Sequence, residues 1–181
     1  SVGNLGTSRV TTMFSEQGIL PTLNFREGSF EGADAISGET MSKTILIRRG
    51  TCYACFVRCK REVEVREPYS VDPIYGGPEY ETVAAFGSMC GISDLKAISK
   101  ANQFCNAYGL DTISTGSLIA FSMECFEAGI LTQQDTDGLE LRFGNTDAML
   151  KMVEKIGKRE GLGDILAEGI CHAAKKFGKG A

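Results

Sequence analysis

Cys52, Cys55 and Cys59 stand at a Cys-x2-Cys-x3-Cys spacing within Thr51-Cys52-Tyr53-Ala54-Cys55-Phe56-Val57-Arg58-Cys59-Lys60-Arg61. Three thiolates so close in the chain can reach three corners of one iron–sulfur cube. No further cysteine follows at the short spacing that would complete a four-cysteine zinc knuckle, and the one histidine, His172, lies far away. Residues 48–61 also carry Arg48, Arg49, Arg58, Lys60 and Arg61 and no acidic side chain. Cations beside thiols lower their pKa and offset the negative charge of a ligated cluster. The spacing predicts a redox cluster, against the plainer alternative of two buried thiols and an accidental third. The fourth ligand stays open. Cys90, Cys105, Cys125 and Cys171 qualify by count, although each sits in a helical pattern as a core cysteine would. A ligand beyond Ala181 is the alternative.

Two other groups could carry chemistry. In Asn106-Ala107-Tyr108-Gly109-Leu110-Asp111-Thr112-Ile113-Ser114, Gly109 permits a left-handed turn between two helical patterns. Asp111 then falls at an N-cap beside free backbone N–H groups. On periodicity alone this is a capped corner between helices. Glu79 and Glu81 open another helical pattern, where the macrodipole favours carboxylates whatever their function. Asp135-Thr136-Asp137-Gly138 hints at a calcium loop, but Gly144 stands where the acidic twelfth ligand is due, which excludes it. His172, isolated near the end, reads as a partly exposed structural residue.

The elements that must position these groups are mostly helical. A short helix is expected around Thr7–Glu16, and Ser37 could cap one over about 38–48 leading into the cysteine loop. Glu62-Val63-Glu64-Val65-Arg66 alternates like a small exposed strand. Residues 67–78 hold three prolines and a Gly-Gly pair, a loop, and nothing visible ties residues 60–78 down when a cluster is absent. Pro78 begins a helix packed through Tyr80, Val83, Ala84 and Phe86. Ser93-Asp94 opens a second with Leu95, Ile98, Ala101, Asn102, Cys105 and Tyr108 on one face. A third runs over about 112–128. Residues 130–144 form a turn with a tiny hairpin around Leu139–Phe143. Asn145 or Thr146 caps a fourth helix, with Met149, Met152, Val153 and Ile156 inward, closed by Gly161, and a fifth spans about 164–177. The fold class is mainly α: one irregular helical domain over residues 1–181, with a cysteine loop and at most a small β-hairpin.

Composition sets the outer bounds. A chain of 181 residues, 43% hydrophobic, can bury one good core. A net charge of −4 without a basic face argues against nucleic acid. Apolar runs such as Leu118-Ile119-Ala120-Phe121 are too short to cross a bilayer, and no secretion signal is visible. Seven cysteines without an even ladder of spacings suit a reducing, cytoplasmic and oxygen-poor setting. The start at Ser1 and the end at Gly180-Ala181 suggest a piece of something longer.

Several stretches taken together resemble the tungsten-containing aldehyde:ferredoxin oxidoreductases. They are Gly18-Ile19-Leu20-Pro21-Thr22-Leu23-Asn24-Phe25, the cysteine loop, Glu79-Tyr80-Glu81-Thr82, Gly87-Ser88-Met89-Cys90-Gly91-Ile92, the 106–111 element and Arg159-Glu160-Gly161-Leu162-Gly163-Asp164-Ile165-Leu166-Ala167-Glu168-Gly169. They occur in the family's order and cover nearly the whole chain. The cysteine spacing alone is also similar to that of molybdopterin enzymes related to formate dehydrogenase, whose distant fourth cysteine lies near the Cys59–Cys90 separation. The first resemblance implies instead that the fourth ligand comes from a third domain beyond Ala181, leaving Cys90 to the core. It implies the mostly helical second domain of an enzyme that oxidises aldehydes to carboxylic acids. The implied cofactors are a [4Fe-4S] cluster on Cys52, Cys55 and Cys59 and a tungsten (or molybdenum) bis-pterin held by Asn106, Gly109, Leu110 and Asp111. Asn106 replaces the family's aspartate, so its contact loses a charge. Glu81 matches a glutamate near the metal and would handle the proton. Implied partners are ferredoxin, the aldehyde, the remaining domains and, for a homodimer, a second copy; the family's Glu-x-x-His pair has no counterpart. Two alternatives share these features: a family member that reduces an aromatic acyl thioester, and a stand-alone iron–sulfur electron-transfer module. A helical scaffold with core cysteines is the third.

Overall fold

The computed structural model describes residues 1–178 and 180–181. The chain opens with α1 (Val2–Leu5), a 3-10 turn over Thr7–Val10 and α2 (Thr11–Glu16). Ser37 caps α3 (Gly38–Thr44), its hydroxyl accepting the Thr40 N–H, as Ser at this position favours. The helix does not run on to Arg48. Ile45-Leu46-Ile47 supplies β-branched and apolar side chains suited to a pleat, and Leu46–Arg49 forms β1. It pairs antiparallel with β2 (Arg61–Val63), Leu46 facing Val63 and Arg48 facing Glu62. The cysteine loop is therefore the tip of a hairpin.

The centre is built from α4 (Tyr80–Phe86), α5 (Leu95–Tyr108) and α6 (Thr112–Glu127). Asp94 caps α5 by accepting from the Lys96 and Ala97 N–H groups, and Gly109 ends it at φ 71°. Gly116 brings α6 against α4 backbone to backbone: a Cβ there would lie 2.6 Å from the Ala85 Cβ. Two turns' worth of contact align these helices. Thr82 and Thr112 share a hydroxyl–hydroxyl bond of 2.8 Å near their starts, and Ala85 meets Gly116 one turn later. Thus α4 and α6 run in the same direction, and α5 returns from the far end of one to the start of the other.

Residues 60–78 are held by α5 rather than left loose. Lys100 Nζ donates to the Ser70 carbonyl at 2.7 Å, Lys96 Nζ to that of Glu67 at 3.2 Å, and Gln103 Oε1 accepts the Asp72 N–H at 2.8 Å. Helix α7 (Thr146–Lys158) follows with its Asn145 cap and ends on a left-handed Arg159, φ 57°, two residues before Gly161. The expected fifth helix is broken at Gly169, φ 94°, into α8 (Leu162–Leu166) and α9 (Ile170–Phe177). The hairpin expected at 139–143 is absent: residues 139–142 run irregularly between two turns, and the Thr136 hydroxyl donates to the Leu139 carbonyl at 2.6 Å.

The fold is mainly α with this one two-stranded sheet among the described residues. Phe86, Ile98, Ile119, Met123, Met149 and Met152 are fully buried in one cluster. Burying each such side chain contributes about 1.5–3 kcal/mol. A satellite of Leu20, Ala33 and Ala84, with Phe14 edge-on to Tyr80 at 5.3 Å, seats the N-terminal segment on α4. No described helix is long and apolar enough to cross a membrane.

Candidate functional site

The cysteine loop closes through its own backbone. The Gly50 N–H donates to the Lys60 carbonyl at 2.9 Å, and the Cys55 N–H to that of Cys52 at 3.1 Å. Thr51 Oγ1 donates to the Cys55 carbonyl at 2.7 Å, and Ala54 and Arg58 take left-handed φ of 53° and 55°. Cys52 is exposed, Cys55 and Cys59 are half-buried, and all three are free thiols. The donors have the right chemistry but an open arrangement. Among the described residues no three Cys, His, Asp or Glu side chains converge closely enough to hold a metal ion. Tyr53 and Phe56 stand almost wholly in solvent at 101% and 94% exposure.

The five cations counted around this loop divide. Arg48 forks onto Glu62 at 2.8 and 2.9 Å, an acid just past the loop. Arg61 is only 1% exposed and donates to four carbonyls, those of Gly3, Asn4, Arg58 and Cys59. Arg49, Arg58 and Lys60 are the exposed cations left to the thiols. The N-terminal segment touches the loop directly, since a Cβ on Gly3 would lie 2.8 Å from the Val57 carbonyl oxygen.

The second group gathers where α4 and α6 begin and α5 ends. Asp111 Oδ2 accepts the Ser114 N–H at 2.7 Å, and the Ser114 hydrogen bonds hold its carboxyl below the usual carboxylate range. The Leu110 N–H closes α5 on the Cys105 carbonyl at 2.8 Å, and its half-buried side chain packs on the core. Asn106, exposed on the last turn of α5, donates to the Asn102 carbonyl at 2.8 Å. Its outer side borders a cleft of about 500 Å³ shared with Arg48, Lys60, Glu62, Ile74 and Tyr75. Glu81 is exposed in the first turn of α4. Its neighbour Glu79 instead accepts from Thr7 Oγ1 and stays with the N-terminal segment. The structure thus brings Glu81, Asn106 and Asp111 to one end of the bundle, and Asn106 to the cleft beside the cysteine hairpin.

Over residues 1–181 the sequence matches the family model described as "Aldehyde ferredoxin oxidoreductase, domains 2 & 3". The chain belongs to this family. It is 42% identical over 175 residues to the tungsten-containing aldehyde ferredoxin oxidoreductase of Pyrococcus abyssi, covering 95% of this chain and 28% of that protein. It is also 42% identical over 177 residues to the enzyme of the same name from Thermococcus kodakarensis, covering 96% and 28%. The chain therefore spans little more than a quarter of the length of these curated relatives. Among solved structures it resembles the active site complex BamBC of benzoyl coenzyme A reductase bound to 1,5-dienoyl-CoA. That likeness has a TM-score of 0.72 at 26% identity, over 97% of this chain and 27% of that one.

The remaining cysteines of this family member fall into two kinds. Cys90 is fully buried, its sulfur 3.3 Å from the Ala85 carbonyl oxygen, and burial pushes its thiol pKa far up. Burial likewise pushes Cys105 up to about 12 and Cys125 up to about 11. Such burial is that of ordinary core cysteines. Cys171 is exposed on α9. Sequence reasoning missed Thr82 and Thr112, which join the Glu81 and Asp111 turns. A hydroxyl at the start of each helix was the available signal, but Thr there is equally an ordinary capping or surface residue.

Proposed function

We propose that this chain is the cluster- and pterin-carrying part of an oxidoreductase that converts an aldehyde and water to a carboxylic acid, releasing two electrons and two protons, with ferredoxin as acceptor. One observation carries the reading. The Thr82–Thr112 bond and the return of α5 set Glu81, Asn106 and Asp111 at one end of the bundle, and Asn106 shares its cleft with Lys60, the neighbour of Cys59. Of the groups suited to a pterin, Asn106 thus borders a cleft with the base of the cysteine hairpin. Family membership and free, accessible thiols support the same assignment.

When bound, a tungsten (or molybdenum) bis-pterin supplies two-electron oxidation and a [4Fe-4S] cluster passes electrons on one at a time. Cys52, Cys55 and Cys59 would hold such a cluster as thiolates, and the fourth ligand would come from elsewhere in the polypeptide. Asp111 stays ionised because Ser114 stabilises its charge, so its remaining lone pairs can accept ring N–H groups. Gly109 supplies the left-handed turn that presents Leu110 and Asp111, and Asn106 offers its amide oxygen from the preceding turn. Glu81, accessible and carrying a carboxylate, takes a proton from the hydrated aldehyde. Residues 1–181 act as one helical domain of a longer cytoplasmic polypeptide.

Elemental analysis of the full-length protein, purified without oxygen, should give about four irons and one heavy metal per chain. Cys55→Ser in that protein should lose ferredoxin reduction; retained electron transfer would refute the cluster assignment. The likeness to benzoyl coenzyme A reductase favours a second reading, a family member that reduces an aromatic acyl thioester. Assaying the same preparation with aldehydes and with aromatic acyl-CoA separates the two.

A further inference from the structure

Arg61 is the largest of the fully buried side chains, and its charge has no carboxylate within ion-pair distance among the described residues. Its Nε donates to the Cys59 carbonyl at 2.9 Å, Nη1 to that of Asn4 at 2.9 Å, and Nη2 to those of Gly3 at 3.0 Å and Arg58 at 2.7 Å. A guanidinium carries five N–H donors in a rigid fork, and here four bonds span two segments more than fifty residues apart. The surrounding backbone is shaped to admit it. Gly6, at φ 72°, leaves room for the stem, with a Cβ there lying 3.2 Å from Arg61 Cγ, and a Cβ on Gly77 would lie 3.0 Å from Arg61 Cβ. Burying a cation without a direct ion pair is costly; the four carbonyls offset that cost here, and the Glu79 carboxylate acts on the charge from beyond ion-pair distance.

We infer that Arg61 is a positioning residue for the cysteine loop, fixing the Arg58–Cys59 turn to the N-terminal segment and placing a permanent buried positive charge behind Cys59. The inference rests on the cluster reading above. Two effects follow for a thiolate-ligated group on this loop. The clamp holds the Cys59 end of the loop in place, which slows loss of the group. The fixed charge favours the more negative, reduced state, and so raises the reduction potential.

The test compares Arg61→Gln, which removes the charge, with Arg61→Lys, which keeps the charge but lacks the fork. Both are made in the full-length protein, with iron content, iron release to a chelator and an EPR-monitored redox titration as readouts. Arg61→Gln should release iron roughly 10-fold or more faster and titrate at a more negative potential. Arg61→Lys should also release iron faster but keep the wild-type potential. An unchanged potential in Arg61→Gln, or wild-type iron retention in both variants, overturns the inference. Should Arg61→Gln not fold, wild-type retention of iron by Arg61→Lys overturns it alone. Wild-type protein without iron would refute the cluster reading itself, a result distinct from all of these.

Discussion

Replacing Thr82 and Thr112 by valine, singly and together, tests whether α4 and α6 share one end. Their hydroxyls are 2.8 Å apart, and Thr82 is 4% exposed while Thr112 is half-buried. Thr112→Val leaves the Thr82 hydroxyl buried without its partner, a loss of about 1–3 kcal/mol. Thr82→Val leaves the Thr112 hydroxyl near water, and the expected loss is about 0.5–1.5 kcal/mol, the net worth of one hydrogen bond. The double variant buries two shape-matched methyl groups and orphans nothing, so its cost should fall near zero. The sum of the singles then exceeds the double by more than about 1 kcal/mol. Native-state hydrogen exchange at the amides of α4 and α6 in the full-length protein reads the opening free energies locally. Single-variant losses that add to the double within about 0.5 kcal/mol would mean that no bond joins these turns. The shared end for Glu81 and Asp111 would then lose its basis.

Gly116→Ala should destabilise the same pair of helices. The gain of about 1 kcal/mol in helix propensity is outweighed by about 1–3 kcal/mol of overpacking, because the new Cβ meets Ala85 at 2.6 Å. Equal or greater protection of α6 in exchange would refute that approach. Asp111→Ala should cost about 1 kcal/mol through loss of the α6 cap, measured by exchange at Ser114 and Thr115. Because the carboxyl titrates below its unfolded value in the folded state, its charge-dependent stabilisation is complete above the ordinary carboxylate range and fades as pH falls through the lowered pKa. Asp111→Asn, which still caps, should keep α6 protected while flattening that acidic limb; an unaltered limb would place the titration elsewhere.

The helical bulk was legible because long apolar periods have few other solutions. Leu95, Ile98, Ala101 and Cys105 point inward together, and Asp94, Asp111 and Asn145 cap where their types and positions direct. The errors fall where local pattern competes with a partner distant in sequence. Residues 46–48 continue the register of α3, yet Arg61–Val63 recruits them into a strand, Leu46–Arg49. Gly169 fits the packed face of a helix, but its φ of 94° breaks that helix in two. Residues 60–78 look untethered because their tethers are lysine tips from α5 meeting backbone carbonyls, and a carbonyl has no residue type to read.

Arg61 shows the same limit at the site itself. From sequence it is one more cation beside three thiols, interchangeable with Arg58 or Lys60. In the structure its four partners are all main-chain oxygens, two of them close to the N-terminus, and the glycines that admit it, Gly6 and Gly77, look like ordinary turn residues. Counting charges near a motif therefore overstates the local field that reaches the ligands. Arg48 is neutralised by Glu62 and screened at the surface, whereas the buried Arg61 is shielded from water and acts through a lower dielectric. A buried guanidinium bonded to the Arg58 and Cys59 carbonyls should therefore act on the cysteine loop with little screening, which is why the charge-removing and charge-keeping substitutions at Arg61 must differ in potential if the loop carries a cluster.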